Sequence, residues 1–291
     1  MGWQARKVQL DQEVSHVNFI ERMCLYAIAT TEKRPWRLPP DDNHKEWADE
    51  DTDFLPMTNQ GYIQLVHPTN WTIIDKLELD VGEVCLSMTV ADLEVSELTH
   101  ERKTFVCIGT MVVVGEDQQT RGKAIILDIR DVVPEPDRPE TGHKFKIVAK
   151  EDVKGGVTAL SGIGPQGFLL MAQGQKCTVR GLIEADKLLP TAIMDVQCYV
   201  TTAKVLEGTG MILLGDIAKG LWFTGYTVGC ESMKRRYTAN ARLGRAVQTD
   251  GDEQGVVADG SDDCRISTSR KAALHPCRRC GQQYSCSTIR S

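Results

Sequence analysis

From Gly61 to Tyr226 the chain repeats one pattern: short β-rich runs, each closed by a Gly, Asp or Pro turn, with no helical stretch between them. In order, the runs are Gly61–His67, Trp71–Leu79, Glu83–Val90, Lys103–Val114, Gly122–Val132, His143–Lys150, Gly156–Ser161, Gly167–Ala172, Lys176–Ile183, Val196–Leu206, Met211–Gly215 and Gly220–Tyr226. Strands at this spacing predict an all-β sandwich, barrel or propeller. Upstream, Lys7–Leu10, Ser15–Ile20 and Met23–Thr30 read as the first strands. The whole chain then holds about 15 or 16 strands, which at four per blade makes roughly four blades. Closed propellers commonly have more, so the expectation is an incomplete β-propeller, WD40-like in its four-stranded blades. Open sheet edges leave unpaired N–H and C=O groups, each costing about 1–3 kcal/mol if buried unsatisfied, so such an arc should be sticky or marginal alone.

Two segments break the pattern. The first runs from Thr31 to Gln60, too long for an ordinary turn. It carries Pro35, Pro39, Pro40 and Pro56, and between Asp41 and Asp53 seven acids against one Lys. It reads as a solvated acidic insertion of about residues 31–60, with Trp36, Trp47 and Phe54 keeping a docking role open. The second begins at 228. Residues 230–291 hold nine Arg, two Lys, four Cys beyond Cys230 and hardly any apolar run longer than two. The division expected is therefore 1–227 as partial propeller and 228–291 as a divergent, disordered basic tail. A sharper reading has the tail translated out of frame or across an unspliced intron.

Charge and cysteine usage narrow the function classes. The formal net charge is −6, but residues 230–291 carry 11 basic against 7 acidic residues, leaving the remainder with 23 against 33. An acidic body of that kind does not grip phosphates along its whole surface, so any contact with nucleic acid must be local. No apolar run approaches the ~20 residues of a bilayer span, and the N-terminal MGWQARKVQL lacks the apolar core of a signal peptide. Cys24, Cys85, Cys107, Cys177 and Cys198 sit singly in apolar runs and read as reduced, packed thiols. The compartment expected is cytosolic or nuclear, which makes the Asn70-Trp71-Thr72 glycosylation match fortuitous.

Catalytic, cofactor and metal residues are expected to be none. Gly162-Ile163-Gly164-Pro165-Gln166-Gly167 matches GxGxxG, but a strand follows where a dinucleotide site needs a helix, so it reads as a hairpin turn. His275, Cys277, Cys280 and Cys286, with Cys264, suggest a zinc knuckle whose spacing fits no common finger. The six His are scattered singly, and no Ser sits in a nucleophile elbow. Glu151–Gly156 and Asp216 read as structural turns.

Four stretches together resemble a known family: Ile63–Trp71 (IQLVHPTNW), Phe105–Gly115 with Arg121–Pro136 (FVCIGTMVVVG, RGKAIILDIRDVVPEP), Lys144–Leu160 (KFKIVAKEDVKGGVTAL) and Leu213–Tyr226 (LLGDIAKGLWFTGY). They are similar to the C-terminal propeller region of the largest subunit of the cleavage and polyadenylation specificity factor, of the fungal type. The wider family includes the large damaged-DNA-binding subunit and a splicing-factor subunit. The resemblance covers about Val8 to Tyr226, and the chain departs from it at Val228.

It implies a nuclear, non-enzymatic scaffold in pre-mRNA 3′-end cleavage and polyadenylation. The partners implied are a zinc-finger and a WD-repeat subunit, with room for local contact with pre-mRNA. The alternatives are a propeller adaptor of the DNA-repair or ubiquitin-ligase branch, and a direct nucleic-acid-binding module. No binding residue is assigned by the resemblance. Trp71, Trp222 and Tyr226 are either interface anchors or blade core.

Overall fold

In the computed structural model the described residues are 7–36, 55–96, 99–112, 119–136, 138–164, 167–183, 187–196, 198–206, 211–218, 220–228 and 237–242. They form sixteen strands in four antiparallel meanders of four. The first holds β1 (Glu13–Ile20), β2 (Leu25–Pro35), β3 (Met57–Val66) and β4 (Ile73–Val81). The second holds β5 (Glu83–Glu94), β6 (Arg102–Val112), β7 (Arg121–Asp131) and β8 (His143–Lys154). The third is β9 (Val157–Ile163), β10 (Phe168–Gln173), β11 (Lys176–Ile183) and β12 (Lys187–Asp195). The fourth is β13 (Val200–Leu206), β14 (Met211–Asp216), β15 (Leu221–Val228) and β16 (Tyr237–Arg242). The all-β expectation holds, and the meanders stand as consecutive blades of an incomplete propeller.

Packing between sheets follows the blade pattern. The first strands β1, β5, β9 and β13 contact one another in that order, and the outer strands β4, β8, β12 and β16 do the same. Central strands are buried on both faces, which is why Ile63, Leu65, Ile108, Ile126, Leu127, Leu169 and Met171 form near-continuous apolar runs. One apolar cluster joins the first two blades (Ala27, Ile63, Leu65 with Val106, Ile108, Leu127). A second joins blades two and three (Leu93, Phe105, Ile126 with Leu160, Leu169, Leu182), and a third joins blades three and four (Leu170, Val179 with Leu214, Trp222, Tyr226).

The same polar contact recurs at each seam. Asn18 Nδ2 on β1 donates to the Met88 carbonyl on β5 at 2.9 Å, and Ser87 Oγ on β5 to the Val157 carbonyl on β9 at 2.8 Å. Thr158 Oγ1 on β9 completes the series at the Val200 carbonyl on β13, at 2.6 Å. Close approach here explains Gly109, where an added Cβ would collide with Ser87 Oγ and Val157 Cγ1. Farther out, a charged clamp ties blades one and two. Glu83, fully buried, accepts from Thr110 Oγ1 at 2.5 Å and from the Asp80 amide at 3.1 Å. Lys123 Nζ lies 3.3 Å from Glu83 Oε2 and also pairs with Asp80.

Several sequence expectations need correction. Lys7–Leu10 forms no strand. The sequence expectation omits β12, which contains Pro190; the proline is tolerated because β12 is the outer strand, with a register shift beside it. The expectation also omits β16, whose backbone pairs with β15 from Phe223↔Arg242 to Val228↔Tyr237, so strand structure continues past the boundary at 227/228. The remainder of 228–291 lies outside the described residues, as do residues 37–54 of the acidic insertion; the insertion's two ends belong to the β2–β3 hairpin, where the Trp36 amide meets the Pro56 carbonyl at 2.8 Å. Glu151–Lys154 is not a turn but the end of β8, paired to β7, and only Gly155–Gly156 turns.

Two stability predictions follow from the seams. Ser87→Ala and Thr158→Val each leave a neighbouring-blade carbonyl without its partner, and each should cost about 0.5–1.5 kcal/mol in urea denaturation. The Val157 carbonyl that accepts from Ser87 belongs to the peptide unit of Thr158, so the two sites are neighbours and the double variant should depart from the sum of the single effects. The second concerns pH. Hydrogen bonding to Lys123 lowers the Asp80 pKa against the opposing effect of burial, so its contribution is complete above the ordinary value of 3.8 and is lost as pH falls through the lower native value. For Lys123, burial is outweighed by Asp80 and Glu83 and the pKa rises, so its contribution is complete below 10.5 and fades as pH climbs through the native value. Asp80→Asn should flatten the acid limb of a melting-temperature profile below about pH 4.

Candidate interaction surfaces

Two of the three sequence-selected aromatics belong to the interior. Trp222 and Tyr226 alternate along β15 on the face that meets blade three, exposed by 7% and 2%. Tyr226 meets Phe168 edge-on, with ring centroids 5.9 Å apart. Trp222 Nε1 donates to Asp216 Oδ2, while Asp216 Oδ1 accepts from the Ala218 and Gly220 amides at 2.8 and 3.0 Å. Asp216 is thus a blade-end turn residue, as its position suggested.

Trp71 differs. It lies in the β3–β4 turn at φ +58°, half-buried, with its amide donating to the His67 carbonyl at 2.9 Å. A bulky residue in that region is an outlier that its surroundings must hold in place. Its ring stacks on Tyr26 at 5.4 Å and 14°, and Tyr26 in turn meets Phe19 at 5.0 Å. Phe19, 44% exposed, extends with Val14 and Val17 an apolar strip along β1, on the face away from blade two.

The glycine motif forms a hairpin. Gly162 pairs with Leu169 across β9 and β10, and Gly167, at φ +67°, closes the turn with its amide on the Ile163 carbonyl at 3.0 Å. The Gly167 carbonyl also accepts from the Glu94 amide at 3.0 Å, linking blades two and three. Nearby, Arg180, 6% exposed, pairs with Glu151 across the same seam, so both are structural.

Thiol chemistry divides the five cysteines. Burial pushes Cys85 and Cys177 up to about 12 and raises Cys107 as well, which makes all three inert apolar fillers. Cys24 and Cys198 depart from the sequence reading: Cys24 is exposed in the β1–β2 turn, and Cys198 is half-buried in the bend before β13. Among the described residues no group of three or more His, Cys, Asp or Glu is placed to hold a metal ion. His275, Cys264, Cys277, Cys280 and Cys286 lie outside them.

One charged cluster was not anticipated. Asp128 on β7, only 2% exposed, holds Lys103 Nζ at 2.7 Å and Arg130 Nε at 3.3 Å on its Oδ2. Directly across on β8, Lys146 pairs in register with Asp128 and Lys144 with Arg130. Asp128 Oδ1 has no hydrogen-bond partner among the described residues. Asp128 and Lys103 also line a cavity with Met23, Phe105 and Ile129, with room for about one water molecule. The signal in the sequence was the alternation of Lys144 and Lys146 around Phe145, which a strand places on one face.

Residues 60–236, which hold β4 to β15 and most of β3, match the family model of the CPSF A subunit region. The chain is 47% identical to protein CFT1 of Coccidioides immitis over 227 residues, covering 78% of this chain and 16% of that protein. It is 43% identical to protein cft1 of Neurospora crassa over 267 residues, covering 90% and 18%, and 36% identical to protein cft1 of Schizosaccharomyces pombe over 225 residues, covering 77% and 15%. The chain therefore spans less than a fifth of the length of these curated relatives. The Neurospora match covers more of the chain than residues 1–227 can supply. The likeness thus continues past Val228, which a change of reading frame at Thr227 does not predict. By its blades and by the sequence that builds them, the chain belongs to the CPSF A subunit region family.

Proposed function

We propose that this chain is a non-catalytic scaffold segment acting in the nucleus in pre-mRNA 3′-end cleavage and polyadenylation. The observation that carries the reading is the match of residues 60–236 to the CPSF A subunit region, a stretch that includes β4 to β15 and most of β3. Physical features support it. Four rigid meanders present rows of loops at two rims, and such rims serve as platforms for other subunits. Interfaces of that kind bury roughly 1,200–2,000 Å² around a few aromatic or Arg anchors. Trp71, with Tyr26 and Phe19, is the aromatic group best placed for that role, being partly exposed at a rim. The partners proposed are the zinc-finger and WD-repeat subunits of the processing machinery.

Affinity capture from fungal nuclear extract tests the reading. The tagged chain should recover 3′-end cleavage and polyadenylation subunits, and Trp71→Ala should reduce that recovery severalfold while leaving the circular-dichroism spectrum unchanged. Recovery of ubiquitin-ligase components without polyadenylation factors would reverse the assignment in favour of the DNA-repair branch.

A further inference from the structure

We propose that Lys103, Arg130, Lys144 and Lys146 form a patch on the second blade that contacts the phosphates of single-stranded RNA. The proposal rests on the 3′-end-processing reading for the identity of the polyanion, and on the sheet register for the site itself.

Register places the four bases on one face. Arg130 stands directly opposite Lys144, and Asp128 opposite Lys146, while Lys103 reaches Asp128 from β6. Like charges directly opposite each other weaken a strand pair. A fold under no other demand would not keep Arg130 against Lys144 when the rest of the body is acidic. Lysines on an outer strand do blunt unwanted edge pairing. That accounts for Lys144 and Lys146 on β8, and the buried Asp128 calls for one cation beside it, but a single carboxylate does not call for both Lys103 on β6 and Arg130 on β7.

Asp128 organises the array. Its buried carboxylate fixes the Lys103 ammonium and the Arg130 guanidinium, so less side-chain freedom is lost when an anion binds them. One carboxylate cannot neutralise four cations. Among the described residues, Lys144 and Lys146 have no ion-pair partner, and both are exposed. The result is a net positive strip across three strands, with neighbours about 5 Å apart across the sheet and about 6.8 Å apart along β8.

A strip of that shape fits an extended chain of anions better than a single phosphate, which would call for a concave pocket. The aromatic ring beside it, Phe105, is buried beneath Lys103 with the ammonium 6.0 Å from its centroid, so that ring cannot stack a base. Contact is therefore with the backbone, and it is independent of sequence.

Fluorescence anisotropy of the full 291-residue chain with an unstructured 12-nucleotide RNA tests this. Neutralising each phosphate contributes a slope of about −0.7 to the log–log salt dependence. Lys144→Gln/Lys146→Gln should weaken binding about tenfold at low salt and make the slope shallower by about 1.4. Lys154→Gln/Lys176→Gln, removing equal charge at the opposite rim, should bind like the parent. The basic C-terminal segment is common to all three proteins, so their differences report on the blade.

Equal affinity in the two double variants overturns the proposal, as does an absence of RNA binding. Displacement from the patch by a Glu-rich peptide, with RNA ineffective, overturns it in favour of an acidic protein partner. Circular dichroism confirms folding of each variant. Absence of RNA binding at this patch with capture of polyadenylation subunits intact defeats the inference and leaves the scaffold reading standing. Failure of capture does the reverse.

Discussion

Each blade is fastened to the next by a short polar side chain on its first strand, which donates to a main-chain carbonyl of the following first strand: Asn18 to Met88, Ser87 to Val157, Thr158 to Val200. The three donors differ in type but not in reach. Each ends in a group close enough to its backbone that two first strands must pack almost in contact. Small residues follow from that closeness, Gly109 above all. Large apolar residues move outward to the central strands, where the wedge between blades widens. A fully buried Leu or Ile there stabilises by about 1.5–3 kcal/mol, against about 1 kcal/mol for each seam hydrogen bond. The apolar clusters supply most of the energy, and the hydrogen bonds set the relative placement of the blades.

This division of labour bears on function. Side chains that hold the seams are buried and satisfied, and those that could serve partners lie at the rims. Trp222 and Tyr226 show the first case: alternation along β15 turns both inward, where they fill the seam with blade three. Trp71 shows the second, held in a left-handed turn by its stack on Tyr26 and leaving part of its ring at the surface. The seam side chains, by contrast, are committed to structure. Cys85, Cys107 and Cys177 are locked in as neutral thiols, and the paired carboxylates of Glu83 and Glu151 are occupied in holding blades together.

How much of this was legible in the sequence depended on which interactions were local. Alternation and turn residues are local, so the all-β class, the fourfold blade count and most strand positions could be read directly. The run containing Pro190 is missing from the sequence expectation, although an outer strand tolerates the donor that proline lacks. Tyr237–Arg242 failed because composition masks six residues whose strand state depends on the open edge of β15 as a template. Cys24 failed because the chain reverses at that residue, which carries it out of the apolar run it appeared to extend. The Asp128 cluster was hidden for a further reason. Its members come from three strands, and only register, set by the β7–β8 connection between Asp131 and His143, brings Lys144 opposite Arg130.

The basic cluster and the acidic surroundings are best understood together. Had the blades been basic throughout, a polyanion would find many equivalent positions and no orientation. An acidic body disfavours it over much of the surface, whereas Lys103, Arg130, Lys144 and Lys146 outnumber the single buried Asp128, so the field favours the proposed site. The same repulsion limits affinity, because a strand bound there must leave the patch within a few residues on either side. On the proposed reading, weak, oriented contact of that kind would suit a scaffold, aligning a transcript across one blade and leaving sequence recognition to whatever the rims carry.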